Sequence, residues 1–335
     1  EQVILYCSQY MKITALSALT IALYSSLQAM LSAIGKPTVA LFITIFSVLL
    51  NTFLNYIFIF GNFGAPALGL EGAALATVVS FALQPILLLV YIRLRVKTFW
   101  PKLSDFKTIK NKKKVNQYLT ISITVSINGF LWSAGAFIYS VIYESMGSQE
   151  LAVMGIMTPI ITLCFASFWG VAQGCGILVG QELGAKNYDM AWRQSKLLLV
   201  LGVFSSFIVI IILWLIKDLI FSLFGNLSAD IIRLCYQVLP WVLLTVWFRA
   251  VNVVVIFGAL RAGGDTKFIL YMDLATQWLL GIPLAYLAAH EFHWALWLVF
   301  LCAMSEEMVK VFICVYRMWQ RKWMNNLVND ATVSA

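Results

Sequence analysis

Asn51 and Asn55 stand four residues apart inside an apolar run, and so do Glu306 and Lys310, with Glu307 beside them. Residues at that spacing share one face of a helix. Asn128 with Trp132, then Arg249 with Asn252, and further on Asp273, are likewise embedded among apolar residues. A polar group at membrane depth costs several kcal/mol unless it finds a partner, so each is a candidate for ion coordination, proton carriage or ligand binding. An amide such as Asn55 ligates sodium through its oxygen but carries no titrating proton. Glu306 and Lys310 are expected to pair along their own helix, leaving Glu307 free to face a cavity as a cation-attracting group or proton carrier. Arg249 needs a carboxylate or a water-filled cavity, and Asp273 is the nearest candidate in sequence. The alternative for all of these is structural: hydrogen bonds and ion pairs that hold helices together. Lys12 reads as a side chain snorkelling to the outer surface.

Other patterns point away from chemistry. Gly170, Gly174, Gly176, Gly180 and Gly184 are not followed by the Lys-Ser/Thr of a phosphate loop, and their spacing is that of small-residue helix packing. His290-Glu-Phe-His293 lacks the spacing of a zinc hydrolase motif. Nowhere do a nucleophile, a base and oxyanion donors come together, so the chain reads as no enzyme and needs no cofactor beyond a coupling ion, Na+ or H+. Trp132, Trp169, Trp241, Trp247 and Trp278 lie inside apolar runs, where rings can stack on flat cations. Trp132 is the one chosen as a site residue, because it lies one helical turn from Asn128.

The elements that must position these residues are membrane helices. Of the 335 residues, 61% are hydrophobic and only 11% charged, a balance that a water-facing fold cannot bury. A transmembrane helix takes about 20 apolar residues. Nine runs are expected to span at residues 3–31, 38–60, 68–95, 116–144, 150–181, 192–217, 229–258, 267–289 and 292–318. They are continuous rather than alternating, so the fold class is all-α and not a barrel. The formal charge of +8 sits in short segments between runs, which favours membrane loops over nucleic acid as the reason for it. Six cysteines, none in a CxxC pair, read as reduced core residues.

The stretch from Arg93 to Lys114 carries nine basic residues against Asp105, which places it in the cytoplasm by the positive-inside rule. Alternation then puts Lys36, Lys186 with Arg193, Arg261 with Lys267, and the carboxy terminus on the same side. Sliding the chain by 229 positions sets Leu31 on Leu260, Gly35 on Gly264 and Leu41 on Leu270, each amid an apolar helix, a polar turn and another apolar helix. Such an internal repeat is the usual build of transporters with a site between repeats. Residue 1 aligns with about residue 230 while the second half starts near residue 116, so three further helices are expected to precede residue 1. The expected division is residues 1–95 as three helices of a first lobe, 96–115 as a basic linker, 116–318 as a six-helix second lobe and 319–335 as a cytoplasmic tail. Without the three helices the chain is expected to confer no drug resistance by itself.

Five stretches in order carry a resemblance. Asn51-Thr-Phe-Leu-Asn55-Tyr-Ile-Phe-Ile-Phe-Gly61, Gly64-Ala-Pro-Ala-Leu-Gly69, Gly72-Ala-Ala-Leu-Ala-Thr77-Val-Val-Ser80, Gly180-Gln-Glu-Leu-Gly-Ala-Lys186 and Leu260-Arg-Ala-Gly-Gly-Asp-Thr266 closely resemble the multidrug and toxic compound extrusion (MATE) family across essentially the whole chain. The resemblance implies a twelve-helix protein of two six-helix lobes around a central cavity, of which this chain supplies helices four to twelve. It implies a monomer in the lipid of the plasma membrane that exports organic cations or other amphipathic small molecules in exchange for Na+ or H+. A related flippase or exporter for lipid-linked sugars or polysaccharides, or an inactive remnant, are the other readings. Thr77 matches a family position near the face of Asn51 and Asn55, where many members centre an ion or proton site on an acid. Asn55 replaces that acid, which disfavours proton exchange there. Members that bind sodium in the second lobe often carry a Glu one residue after Asn128 and an Asp midway along the seventh run; here Gly129 and Ala250 stand instead. Asn128, Trp132, Arg249, Asn252, Asp273 and Glu307 are what this lobe offers.

Overall fold

A computed structural model describes residues 2–100, 112–225 and 227–326. Most of the expected basic linker, and the tail beyond residue 326, lie outside the described residues. The chain divides into two compact units, Glu1–Thr108 and Ile109–Ala335. The described residues are overwhelmingly helical. Eight helical stretches are long and apolar enough to cross a membrane. The ninth expected segment is a helix as well, but Glu306, Glu307 and Lys310 interrupt its apolar run.

In the first unit, α1 (Gln2–Thr14) and α2 (Ser17–Ala33) make one broken span, followed by α3 (Pro37–Phe60) and α4 (Leu70–Arg95). Proline at the first position starts α3 without loss, since its missing N–H has no partner in a first turn anyway. Helix α4 packs against all three others. Large apolar side chains such as Leu19 and Phe42 stay exposed at the surface, as expected of helices solvated by lipid.

The second unit holds α5 (Lys112–Met146), α6 (Ser148–Gly184), α7 (Tyr188–Ser222), α8 (Ala229–Val253), α9 (Thr266–Asp273), α10 (Ile282–His290) and α11 (Leu296–Trp319). Helix α6 packs against α7 and α8, α11 against α8 and α10, and α5 against α9 and α10. Two spans depart from the regular helices expected. Val254–Leu260 and Leu274–Gly281 are wound as π-helix, directly after α8 and α9. A widened turn re-aims the residues at its edge and is common at functional sites. Asn252 and Asp273 stand at those two edges.

The internal repeat is visible atom by atom at its turns. The Gly35 and Gly264 N–H groups donate to the carbonyls of Ser32 and Arg261, and those of Lys36 and Asp265 to Leu31 and Leu260. Both glycines have φ of 77°, and the next helices start at Pro37 and Thr266. A left-handed residue closing a helix is the common glycine terminus, and a β-branched side chain there is strained. Gly264→Val is therefore expected to cost about 1–3 kcal/mol, read as a lower melting temperature in detergent, while Gly264→Asn costs less.

Among the six glycines of α6, only Gly176 packs closely, its Cα side facing the Phe257 and Gly258 carbonyls; the positions of Gly155, Gly170, Gly174, Gly180 and Gly184 face open space. The interval of two between Gly174 and Gly176 splits them into two rows, Gly170 with Gly174 and Gly176 with Gly180 and Gly184, and close packing occurs at Gly176. The six cysteines are free: Cys164, Cys175, Cys235 and Cys314 are buried, Cys302 is half-buried and Cys7 is exposed. His290 stacks on Tyr286 at 4.3 Å.

Candidate functional site

Five elements of the second unit converge on one polar centre. Asp273, at the end of α9, lies 3.0 Å from the Lys310 ammonium of α11 and accepts a 2.7 Å hydrogen bond from the Asn128 amide of α5. The other atom of that amide, Oδ1, accepts from Arg261 at 3.3 Å, and the Arg261 guanidinium stacks 3.9 Å above the Phe257 ring. Lys310 also faces Glu306 on its own helix, at the longer distance of 3.8 Å. Glu307 is held differently: the Asn252 amide of α8 donates to its carboxylate at 2.7 Å and to its backbone carbonyl at 2.8 Å. Asn128, Asn252, Asp273, Glu306 and Lys310 are all buried. A buried ionised group is tolerated only when paired, and this network pairs most of its members.

The network walls a cavity of about 350 Å³ lined by Asn128, Trp132, Asn252, Arg261, Asp273, Glu307 and Lys310 together with Phe165, Trp169 and Phe257. Phe165 and Trp169 stack at 5.3 Å, and Trp169 meets Phe257 edge-on at 4.6 Å. A second cavity of about 290 Å³ adjoins it, sharing Trp132, Phe165 and Glu307 and adding Tyr139, Arg249, Gln277 and Glu306. Apolar rings with a few convergent charged groups are the ordinary composition of a small-molecule site.

Most of the residues singled out in the second half thus meet: Asn128, Trp132, Asn252, Asp273 and Glu307 around the first cavity, and Arg249 in the second. Their partners differ from expectation. Arg249 does not pair with Asp273; its guanidinium contacts the Met304 sulfur at 2.9 Å, because Asp273 is already taken by Lys310 and Asn128. Glu306 and Lys310 do pair along α11, and Glu307 does line both cavities, but neither contact is as simple as spacing suggests. Lys310 lies nearer to Asp273 than to Glu306, and Glu307 is held by the Asn252 amide. Helical spacing allows the Glu306–Lys310 pair but does not rank it against a carboxylate from another helix. Arg261, read as part of a cytoplasmic turn, instead lines the cavity. It precedes the Gly263–Gly264 turn and is still helical, and its contacts with Asn128 and the Phe257 ring hold it in the cavity wall.

In the first unit, the Asn55 amide donates to the Asn51 oxygen at 3.1 Å, as their shared face requires, and the Asn55 oxygen is buried without a partner. Thr77 gives its hydroxyl to the Ala73 carbonyl of its own helix at 2.9 Å, and no hydrogen bond joins it to either asparagine among the described residues. The buried polar cluster between α3 and α4 is another one. Gln84 donates to the Ser47 hydroxyl at 2.9 Å, and Ser47 donates to the Ser80 carbonyl at 2.8 Å. Serines at helix contacts are common enough that nothing in the sequence marked Ser47 out.

Long apolar helices around an aromatic, charge-bearing cavity define a multi-pass membrane protein with a transporter fold. The chain belongs to the MatE family, which it matches over residues 1–57 and 111–287. It is 30% identical over 305 residues to the uncharacterised transporter YisQ of Bacillus subtilis, covering 90% of this chain and 65% of that protein. It is 27% identical to the probable multidrug resistance protein NorM of Bacillus cereus, over 86% of this chain and 63% of NorM. The chain thus spans a little under two thirds of the length of these relatives. In fold it resembles the Vibrio cholerae MATE transporter VcmN in its bent form, with a TM-score of 0.77 at 15% identity over 96% of this chain and 70% of VcmN.

Proposed function

We propose that the protein to which this chain contributes exports flat, amphipathic organic cations across the plasma membrane by alternating access, driven by inward flow of Na+ or H+. The observation that carries this reading is the first cavity, where Trp132, Phe165, Trp169 and Phe257 surround the carboxylates of Asp273 and Glu307. Aromatic faces attract cations, and carboxylates in a water-poor site add to that attraction. The multidrug resistance named for the NorM relatives supports the same class of substrate. Asn51, Asn55 and Thr77 remain a proposed ion site of the first unit, with the unpartnered Asn55 oxygen in its favour. The carboxy terminus is proposed to be cytoplasmic, from the basic residues that follow α11.

Ethidium efflux from vesicles, with a sodium gradient and a proton gradient imposed in turn, tests the reading. Efflux driven by either gradient supports it; efflux by neither refutes it. Trp169→Ala is expected to weaken ethidium binding about 2- to 30-fold, the range for loss of one cation–π partner. Unchanged binding would remove Trp169 from the site.

A further inference from the structure

Glu306 is a buried acid whose only close cation is shared with a second acid, and Tyr139 is its neighbour for a hydrogen bond. It is 3% exposed, and its Oε2 has no hydrogen-bond partner, its nearest cation being Lys310 at 3.8 Å. The groups facing it are Lys310 and Glu307 on α11, Asp273 on α9, Arg249 on α8, and Tyr139 and Tyr143 on α5. Arg249 turns to Met304, and among the described residues neither arginine of the two cavities lies within ion-pair distance of a carboxylate of the network. One ammonium therefore serves two buried carboxylates, and it stands nearer to Asp273. A buried carboxylate so placed is relieved by taking up a proton rather than by staying ionised. A sodium ion is disfavoured at the same oxygen, because the ammonium beside it repels a second cation.

We propose that Glu306 is a proton-binding site of this protein and that Lys310 is a toggle coupling that proton to the cation site at Asp273. This rests on the export of organic cations proposed above. With a proton on Glu306, Lys310 stays on Asp273, the arrangement in this structure, and the first cavity offers a neutralised carboxylate. When the Glu306 O–H bond breaks and its proton leaves to water, the ionised carboxylate draws Lys310 across the short difference between the two contacts. Asp273, which lines the first cavity, is then free to hold a cation. Proton on Glu306 and cation at Asp273 exclude each other, as exchange requires, and each weakens the other by the same factor.

The test uses the purified protein in detergent. Ethidium affinity, read by fluorescence, is expected to rise up to about tenfold per pH unit through the range where Glu306 titrates, since one proton is displaced per cation. Glu306→Gln holds Lys310 on Asp273, so its ethidium binding is expected to be weak and independent of pH. Infrared spectroscopy reads the proton without ethidium: a carboxylic-acid C=O stretch is expected in the wild type and absent in Glu306→Gln. Asp273→Asn leaves Glu306 in place but frees Lys310 for it, so the same band is expected to vanish there too. A band that persists in Glu306→Gln, or is missing from the wild type, overturns the proton site; one that survives in Asp273→Asn overturns the toggle. Ethidium affinity that follows sodium and ignores pH overturns both. If ethidium binds at no pH, the export reading fails, and the infrared bands still decide whether Glu306 carries a proton.

Discussion

Lys310→Met is expected to destabilise the second unit by about 3–5 kcal/mol, the usual loss when one member of a buried ion pair is removed. Methionine keeps the unbranched apolar stem that packs in α11, so the loss isolates the ammonium. Asp273 is left with Asn128 as its only close donor, and Glu306 with no cation inside 4 Å among the described residues. For a unit of this size the loss corresponds to roughly 6–20 °C in melting temperature. Adding Asp273→Asn to Lys310→Met removes the stranded charge and is expected to restore most of the loss, because a neutral network costs less to bury than a broken ionic one. Melting of the three proteins in one detergent checks it; a single variant that melts with the wild type would show that Lys310 is solvated, not paired.

Trp323→Ala is expected to cost a similar amount, about 3–5 kcal/mol, for a different reason. Trp323 follows α11 and is fully buried, with its indole N–H donating to the Met318 carbonyl at 3.0 Å. It closes against Gly263, where any side chain would collide with the Trp323 carbonyl. Asn325 donates to the Gly263 carbonyl at 3.1 Å, and Asn326 donates to the Leu183 carbonyl at the end of α6 at 2.9 Å. Arg317 adds a two-pronged contact to Asp265, at 2.7 and 3.2 Å. Residues 317–326 therefore strap together the ends of α6 and α11 and the turn before α9. Truncating the tryptophan leaves a cavity under the strap, and the loss should appear both in melting temperature and as faster proteolysis after α11. A variant with wild-type melting and cleavage would mean that the strap is held by its hydrogen bonds alone.

What the amino-acid sequence determined was whatever depends on local order. Hydrophobic runs long enough for a bilayer become helices because backbone groups have no other partner in lipid, and they do so near the expected positions. The turns at Gly35 and Gly264 were legible because each needs a residue tolerant of positive φ between two apolar helices. The pairing of Asn51 with Asn55 followed from their spacing alone. Polar residues inside the runs stood out one by one, since each needs a partner at membrane depth.

Only the tertiary structure decided who pairs with whom. Spacing along α11 offered Lys310 to Glu306, but packing brought Asp273 closer, and at such short range a difference of under an ångström reorders electrostatic preference. Asn252 reached Glu307, and Arg249 was left to a sulfur, through contacts between helices some 55 residues apart. The π-helical turns after Asn252 and Asp273 were not legible either. Each departs from the 3.6-residue period on which a reading of helix faces depends, and what stabilises a widened turn is the fit of its neighbours rather than its own residues.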